Sequence, residues 1–88
     1  MEIQLRLFGS SKILSDKDIL NIKLPSNSNI ETLRKTLGKI ISEKYLKNSL
    51  KNLPKNAAFF SEANEVISDS YKLKDNELIS IIPPIGGG

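Results

Sequence analysis

The segment Leu78-Ile79-Ser80-Ile81-Ile82-Pro83-Pro84-Ile85-Gly86-Gly87-Gly88 decides the architecture of this 88-residue chain. Only Ser80 interrupts the apolar run from Leu78 to Ile82, a pattern of burial on both faces, so the run predicts a strand at the centre of a sheet. Pro83 and Pro84 end that strand, because proline donates nothing to a sheet ladder, and they hold the chain extended. Just upstream, Asp75-Asn76 suits a tight turn, since Asn tolerates the left-handed backbone conformation.

Working outward, Ala57 to Phe60 is a short strand candidate, Glu62-Ala63-Asn64 a turn and Val66-Ile67 the answering strand. Pro54 ends the loop before them. At the other end of the chain, Ile3, Leu5 and Leu7 alternate with Gln4 and Arg6, and Leu20, Ile22 and Leu24 repeat the alternation until Pro25 stops it. That period of two marks half-buried strands, and the pair predicts an N-terminal hairpin joined by a loop through Gly9-Ser10-Ser11. Between hairpin and loop, Ile30, Leu33, Leu37, Ile40 and Ile41 form one helical stripe reaching to about Lys47. Ser28 and Glu31 have capping-box spacing at its start, and Gly38 within it marks close packing.

The order strand, strand, helix, strand, strand, strand describes an α+β domain: a mixed sheet of about five strands with one main helix packed across it. The body is expected over residues 1–82, followed by an extended tail over 83–88.

Composition excludes much chemistry. The chain has no Cys, so it has no disulfide, thiolate nucleophile or Cys-based metal site. It has no His either, which removes the usual general base near neutral pH and the commonest transition-metal ligand. A self-sufficient hydrolase, redox protein or zinc enzyme is therefore not expected, and no metal site is. The net charge of +3 is mild, and no nucleic-acid partner is expected. Lys44, Lys47, Lys51 and Lys55 suit the negative end of the helix dipole, with an acidic partner surface as the alternative. Glu2 directly after Met1, with a strand pattern from Ile3, is no secretory signal, and no apolar run approaches a membrane span. The expectation is a cytoplasmic protein with no membrane partner.

The tail contributes no packing. Its glycines either fray or serve to pass a thin, bare peptide into a narrow channel of another protein, a use in which any Cβ would widen the cross-section. The group so delivered is the α-carboxylate of Gly88. It is ionised near neutral pH and a poor electrophile. It needs activation, most simply as an acyl-adenylate made with ATP by a partner.

The element order, the turn Leu73-Lys74-Asp75-Asn76-Glu77, the strand Ile79 to Ile82 and the ending Pro83-Pro84-Ile85-Gly86-Gly87-Gly88 resemble the MoaD-type small subunit of molybdopterin synthase, among the ubiquitin-like (β-grasp) sulfur carriers of the MoaD/ThiS kind. The proline pair resembles the molybdopterin branch more than the thiamin branch. The chain differs from the family pattern in Ile81 and Ile82, where aromatic residues commonly stand, in Asn76, where Gly is frequent, and in its third glycine. The resemblance implies a sulfur carrier that catalyses little alone and binds no cofactor tightly. An adenylating enzyme of the ubiquitin-activating type would use ATP and Mg2+ to activate Gly88, and a sulfur donor would convert it to a thiocarboxylate. The tail would then enter the large subunit of the synthase and give its sulfur to the molybdopterin precursor. Gly88 is the implied covalent carrier, Gly86 and Gly87 give access, and Pro83, Pro84 and Ile85 complete the partner-binding tail. Alternatives are a ubiquitin-like modifier joined through Gly88 to lysines, a thiamin-type carrier, and a non-covalent β-grasp binding module. Among the body residues, Phe8, Phe59 and Phe60 are expected in the core, with an exposed one on a partner surface. Arg6, Lys72 and Lys74 read as solvated positions, or as contacts for acidic groups of a partner.

Overall fold

A computed structural model describes residues 1–44 and 52–83. Strand β1 (Glu2–Leu7) pairs antiparallel with β2 (Ile19–Lys23), as the two alternating runs require. Helix α1 (Ile30–Lys44) packs on one face of the sheet, and a one-turn helix α2 (Leu53–Asn56) leads into β3 (Ala58–Phe60). Strand β4 (Leu78–Ile82) pairs parallel to β1 and antiparallel to β3, giving a four-stranded mixed sheet in the order β2-β1-β4-β3. The fold is the ubiquitin-like β-grasp, α+β, and β4 is central as its composition predicts.

One core holds the inward residues of each element. Ile3, Leu5 and Leu7 of β1, Ile79 and Ile81 of β4, and Phe59 of β3 are buried together with Ile30, Leu33, Leu37 and Ile41 of α1. At about 1.5–3 kcal/mol for each fully buried large apolar side chain, this cluster is the main source of stability.

Several local expectations are corrected. Val66-Ile67 is not a fifth strand. Val66 makes one isolated bridge to Phe60, and the Ile67 N–H donates to the Phe59 carbonyl at 2.9 Å, too little pairing to extend the sheet. β4 is fully buried on one face only. Leu78, Ser80 and Ile82 are half-buried because a single helix covers a single face. The loop after β1 contains a 3-10 helix, Gly9–Leu14. Pro54 lies in the first turn of α2, where a missing N–H costs no helical bond. At Gly38, no atom among the described residues lies within 4 Å of the position a Cβ would take, so close packing does not explain it. Lys47 and Lys51, and the end of the helix beyond Lys44, lie outside the described residues.

The capping box is also replaced. The Asn29 carboxamide caps α1, its Oδ1 accepting from the Thr32 N–H at 2.9 Å. The two preceding N–H groups are satisfied from another loop, Ile30 by the Tyr71 carbonyl and Glu31 by the Asp69 carbonyl, each at 3.1 Å. Ser28 turns its hydroxyl to the Pro25 carbonyl, while its own carbonyl accepts from Leu73. A local Asn29 cap and two tertiary bonds together thus supply what the capping box would. Asn29→Ala is expected to cost about 1 kcal/mol in urea unfolding, while Glu31→Gln, losing only an exposed pair with Lys35, changes stability by less than about 0.5 kcal/mol.

The turn that feeds β4 is tied at both ends. Asn76 has φ +64° as predicted for this turn, its N–H donates to the Glu2 carbonyl at 2.6 Å, and the Asp75 carboxylate accepts from the Glu2 N–H at 2.9 Å. The Glu77 carboxylate accepts from the Lys74 N–H and from the Tyr71 hydroxyl. That hydrogen bond, with burial and the Glu77 charge, raises the Tyr71 pKa above its ordinary value of 10.0. A raised pKa favours the protonated phenol in the folded state. Its contribution is therefore full below the unfolded pKa and is lost as pH rises through the folded one. In thermal unfolding, the wild type is expected to exceed Tyr71→Phe by about 1 kcal/mol at pH 7–9. The difference should shrink above about pH 10.

Candidate functional site: the tail exit and the open sheet face

Because β1 and β4 run parallel, with Leu7 beside Ile81, the C-terminal ends of both strands reach the same edge of the sheet. Phe8 continues β1 in extended conformation (φ −131°, ψ 151°) and then stops. Its N–H donates to the Ser11 hydroxyl oxygen at 2.9 Å, and the Ser11 hydroxyl donates back to the Phe8 carbonyl at 2.5 Å. Ser11 is fully buried, so this reciprocal pair is shielded from water and fixes the strand end. Gly9 follows at φ +57°, a conformation that costs other residues about 1–2 kcal/mol, and its Cβ position faces Pro83 Cγ at 3.5 Å. The first residue of the tail therefore leaves the body against the start of the 3-10 helix.

Of the tail residues singled out in the sequence, Pro83 is half-buried at this edge. Pro84, Ile85, Gly86, Gly87 and Gly88 lie outside the described residues. The juxtaposition of Gly9 and Pro83 has no local signature, since the two stand at opposite ends of the sequence and meet only through parallel strand pairing.

The sheet face away from α1 opens beside this exit. Arg6, Phe8, Phe60, Asn64, Ser80 and Ile82 line a shallow depression of about 320 Å³. Parity explains the grouping: Arg6 and Phe8 fall on the outward side of β1, Ser80 and Ile82 on that of β4, and Phe60 pairs across from Ser80. Asn64, at φ +64°, sits in the turn after β3, where its N–H donates to the Ser61 carbonyl at 2.9 Å. The three phenylalanines divide: Phe59 is fully buried, Phe60 half-buried, and Phe8 is 38% exposed, large for an aromatic side chain. Alternation in β1 and the doublet Phe59-Phe60 could have located this face from the sequence, but Asn64 and Ile82 gave no such signal. Lys72 and Lys74 are exposed and away from this depression.

Other surface features offer less chemistry. Arg34 lines a second depression but is engaged internally, donating to the Asp69 carboxylate at 3.0 Å and to the Pro54 and Ala57 carbonyls at 2.9 and 2.7 Å, with its guanidinium 4.8 Å from the Phe59 ring centroid. Among the described residues, no group of three or more His, Cys, Asp or Glu side chains is placed to hold a metal ion, and no helix is long and apolar enough to cross a membrane.

No protein-family model and no curated protein sequence matches the chain. Solved structures do. The chain is similar to SAMP1 from Haloferax volcanii, with a TM-score of 0.67, 10% identity and full coverage of both chains. It is similar to a Pyrococcus furiosus protein described as a candidate molybdopterin converting factor, subunit 1, with a TM-score of 0.70, 16% identity and coverage of 96% and 98%. It is also similar to a chain from the complex of subunits 1 and 2 of the molybdopterin-converting factor of Helicobacter pylori 26695, with 27% identity, a TM-score of 0.58 and full coverage of both chains. The class that the fold defines is thus the ubiquitin-like β-grasp domain, and its neighbours include molybdopterin converting factor subunit 1 and SAMP1.

The geometry at the exit makes a direct prediction. Gly9→Ala is expected to lower stability by about 1–2 kcal/mol in urea unfolding, and Gly9→Asn by less, because Asn tolerates positive φ. Equal losses for the two would mean that contact with Pro83, rather than backbone conformation, demands glycine.

Proposed function

We propose that this protein is a sulfur carrier of the molybdopterin synthase small-subunit type, with Gly88 as the covalent carrier. The observation that carries this reading is the sequence Pro-Pro-Ile-Gly-Gly-Gly directly after an inner strand of a β-grasp sheet. The likeness to a chain of the subunit 1 and 2 complex supports it. An adenylating partner using ATP and Mg2+ would let the Gly88 carboxylate oxygen attack the α-phosphorus, releasing pyrophosphate. A donor of hydrosulfide equivalents would then attack the acyl carbon, expelling AMP and leaving a terminal thiocarboxylate. In the large subunit, the thiocarboxylate sulfur would attack a carbon of the molybdopterin precursor and displace an oxygen substituent, which leaves with a proton, and water would then cleave the acyl–sulfur bond to restore the carboxylate. The chain has neither Cys nor His, and in this scheme positioning and charge stabilisation belong to the partners.

In this scheme Pro83 and Pro84 aim the tail, Gly86 and Gly87 keep it thin, and Ile85 and the open face beside the exit contact the partner. The locale implied is the cytoplasm. The likeness to SAMP1, a small archaeal modifier protein in Haloferax volcanii, favours a second reading in which the adenylated Gly88 acylates lysine amines of target proteins.

Intact mass of the protein from its native cell separates the readings. A species ending at Gly88 and heavier by about 16 Da, the replacement of one oxygen by sulfur, is expected for the carrier. A ladder of much larger conjugates marks the modifier. Removal of Gly87 and Gly88, or Gly87→Val, is expected to leave folding intact and abolish sulfur transfer to the precursor. A natural chain that continues past Gly88 untrimmed, or full transfer by the truncated protein, would overturn the proposal.

A further inference from the structure

The depression on the open face holds one charge in an apolar setting. Arg6 is the one charged residue lining the depression, among Phe8, Phe60 and Ile82. Among the described residues, no hydrogen bond, ion pair or ring contact engages its guanidinium. The chain's other arginine, Arg34, shows the contrast, with its donors bound to one carboxylate and several carbonyls.

We infer that the open face recognises a partner protein through a carboxylate set among apolar side chains, with Arg6 as the residue that selects it. This rests on the reading that the face beside the tail exit is a docking surface. Any partner that covers Phe8, Phe60 and Ile82 must also strip water from Arg6, and a guanidinium left unpaired under an apolar cover costs more than the surrounding contacts return. The partner must therefore bring an acceptor. A carboxylate matches the planar fork with two parallel hydrogen bonds, which a carbonyl or a hydroxyl does not. The apolar rim fixes the class of partner as well. A nucleic acid would require several cations, whereas the lining here offers one cation and a ring of hydrophobic side chains, the composition of a protein–protein hot spot. Arg6 thus acts against wrong partners as much as for the right one, since an apolar or basic surface of the same shape is penalised.

The arrangement is held rigidly. Arg6 lies in the central strand pair, between Ile19 of β2 and Ser80 of β4, and Phe8 is locked by the buried Ser11 hydroxyl. The backbone beneath the depression is thus ordered before binding, and the ordering cost that remains is that of the Arg6 side chain.

The test uses the full chain and two capped tripeptides, Ac-Phe-Asp-Phe-NH2 and Ac-Phe-Asn-Phe-NH2, titrated against amide NMR spectra, with inorganic phosphate as a separate probe. The Asp peptide is expected to shift the amides of Arg6, Phe8, Phe60, Ser80 and Ile82, and to bind about tenfold more tightly than the Asn peptide. Arg6→Gln should erase that preference while keeping the weak apolar binding, and Arg6→Lys should restore only part of it. Equal binding of the two peptides, shifts confined to another face, an Asp preference that survives in Arg6→Gln, or the same shifts from phosphate alone would each overturn the inference. None of these readouts involves Gly88, so failure here is separate from failure of the sulfur-carrier reading.

Discussion

The parallel pairing of β1 with β4 is the constraint on which the rest of the molecule depends. It joins the two ends of the sequence at the centre of the sheet, with Gln4 beside Leu78 and Leu7 beside Ile81. Its inward residues, Ile3, Leu5, Leu7, Ile79 and Ile81, are almost completely buried. Backbone bonds from the Asn76 and Gln4 N–H groups to Glu2 and Glu77 carbonyls start the register. Closing so long a loop carries an entropic cost that the buried apolar area must exceed, and such non-local pairing makes folding slower than in a helical domain of equal size.

Helix α1 is tied to this sheet by more than its apolar stripe. Its first N–H groups are capped by carbonyls of the 69–71 segment, and Arg34 on the helix reaches Asp69 as well as the carbonyls of Pro54 and Ala57. One guanidinium therefore gathers α1, α2, the start of β3 and the turn before β4. Its side chain is 20% exposed, so its hydrogen bonds are more effective than those of a surface pair. The exposed Glu31–Lys35 contact at 3.4 Å contributes little by comparison.

The same pairing arranges the candidate site. Parallel strands end at the same end of the sheet, which brings Gly9 against Pro83 and sets Arg6, Ser80 and Ile82 on one face of the sheet. A single helix can cover only one face, so the second face of the sheet stays open next to the exit.

The sequence by itself determined the alternating strands β1 and β2, the apolar stripe of α1, the central place of β4, the positive-φ turn at Asn76 and the absence of thiol and imidazole side chains. These follow from local periodicity, backbone preference and composition, which any window of the chain carries. It did not determine the cap of α1, the missing fifth strand, the half-open second face of β4 or the seating of Pro83 on Gly9. Ser28 and Glu31 have the right spacing for a cap, yet the neighbouring Asn29 side chain and carbonyls from a distant loop took their place. Val66-Ile67 has the right composition for a strand, yet found only one bridge. Those outcomes were decided by which groups distant in sequence competed for the same hydrogen bonds and the same buried surface, and only the tertiary structure sets that competition.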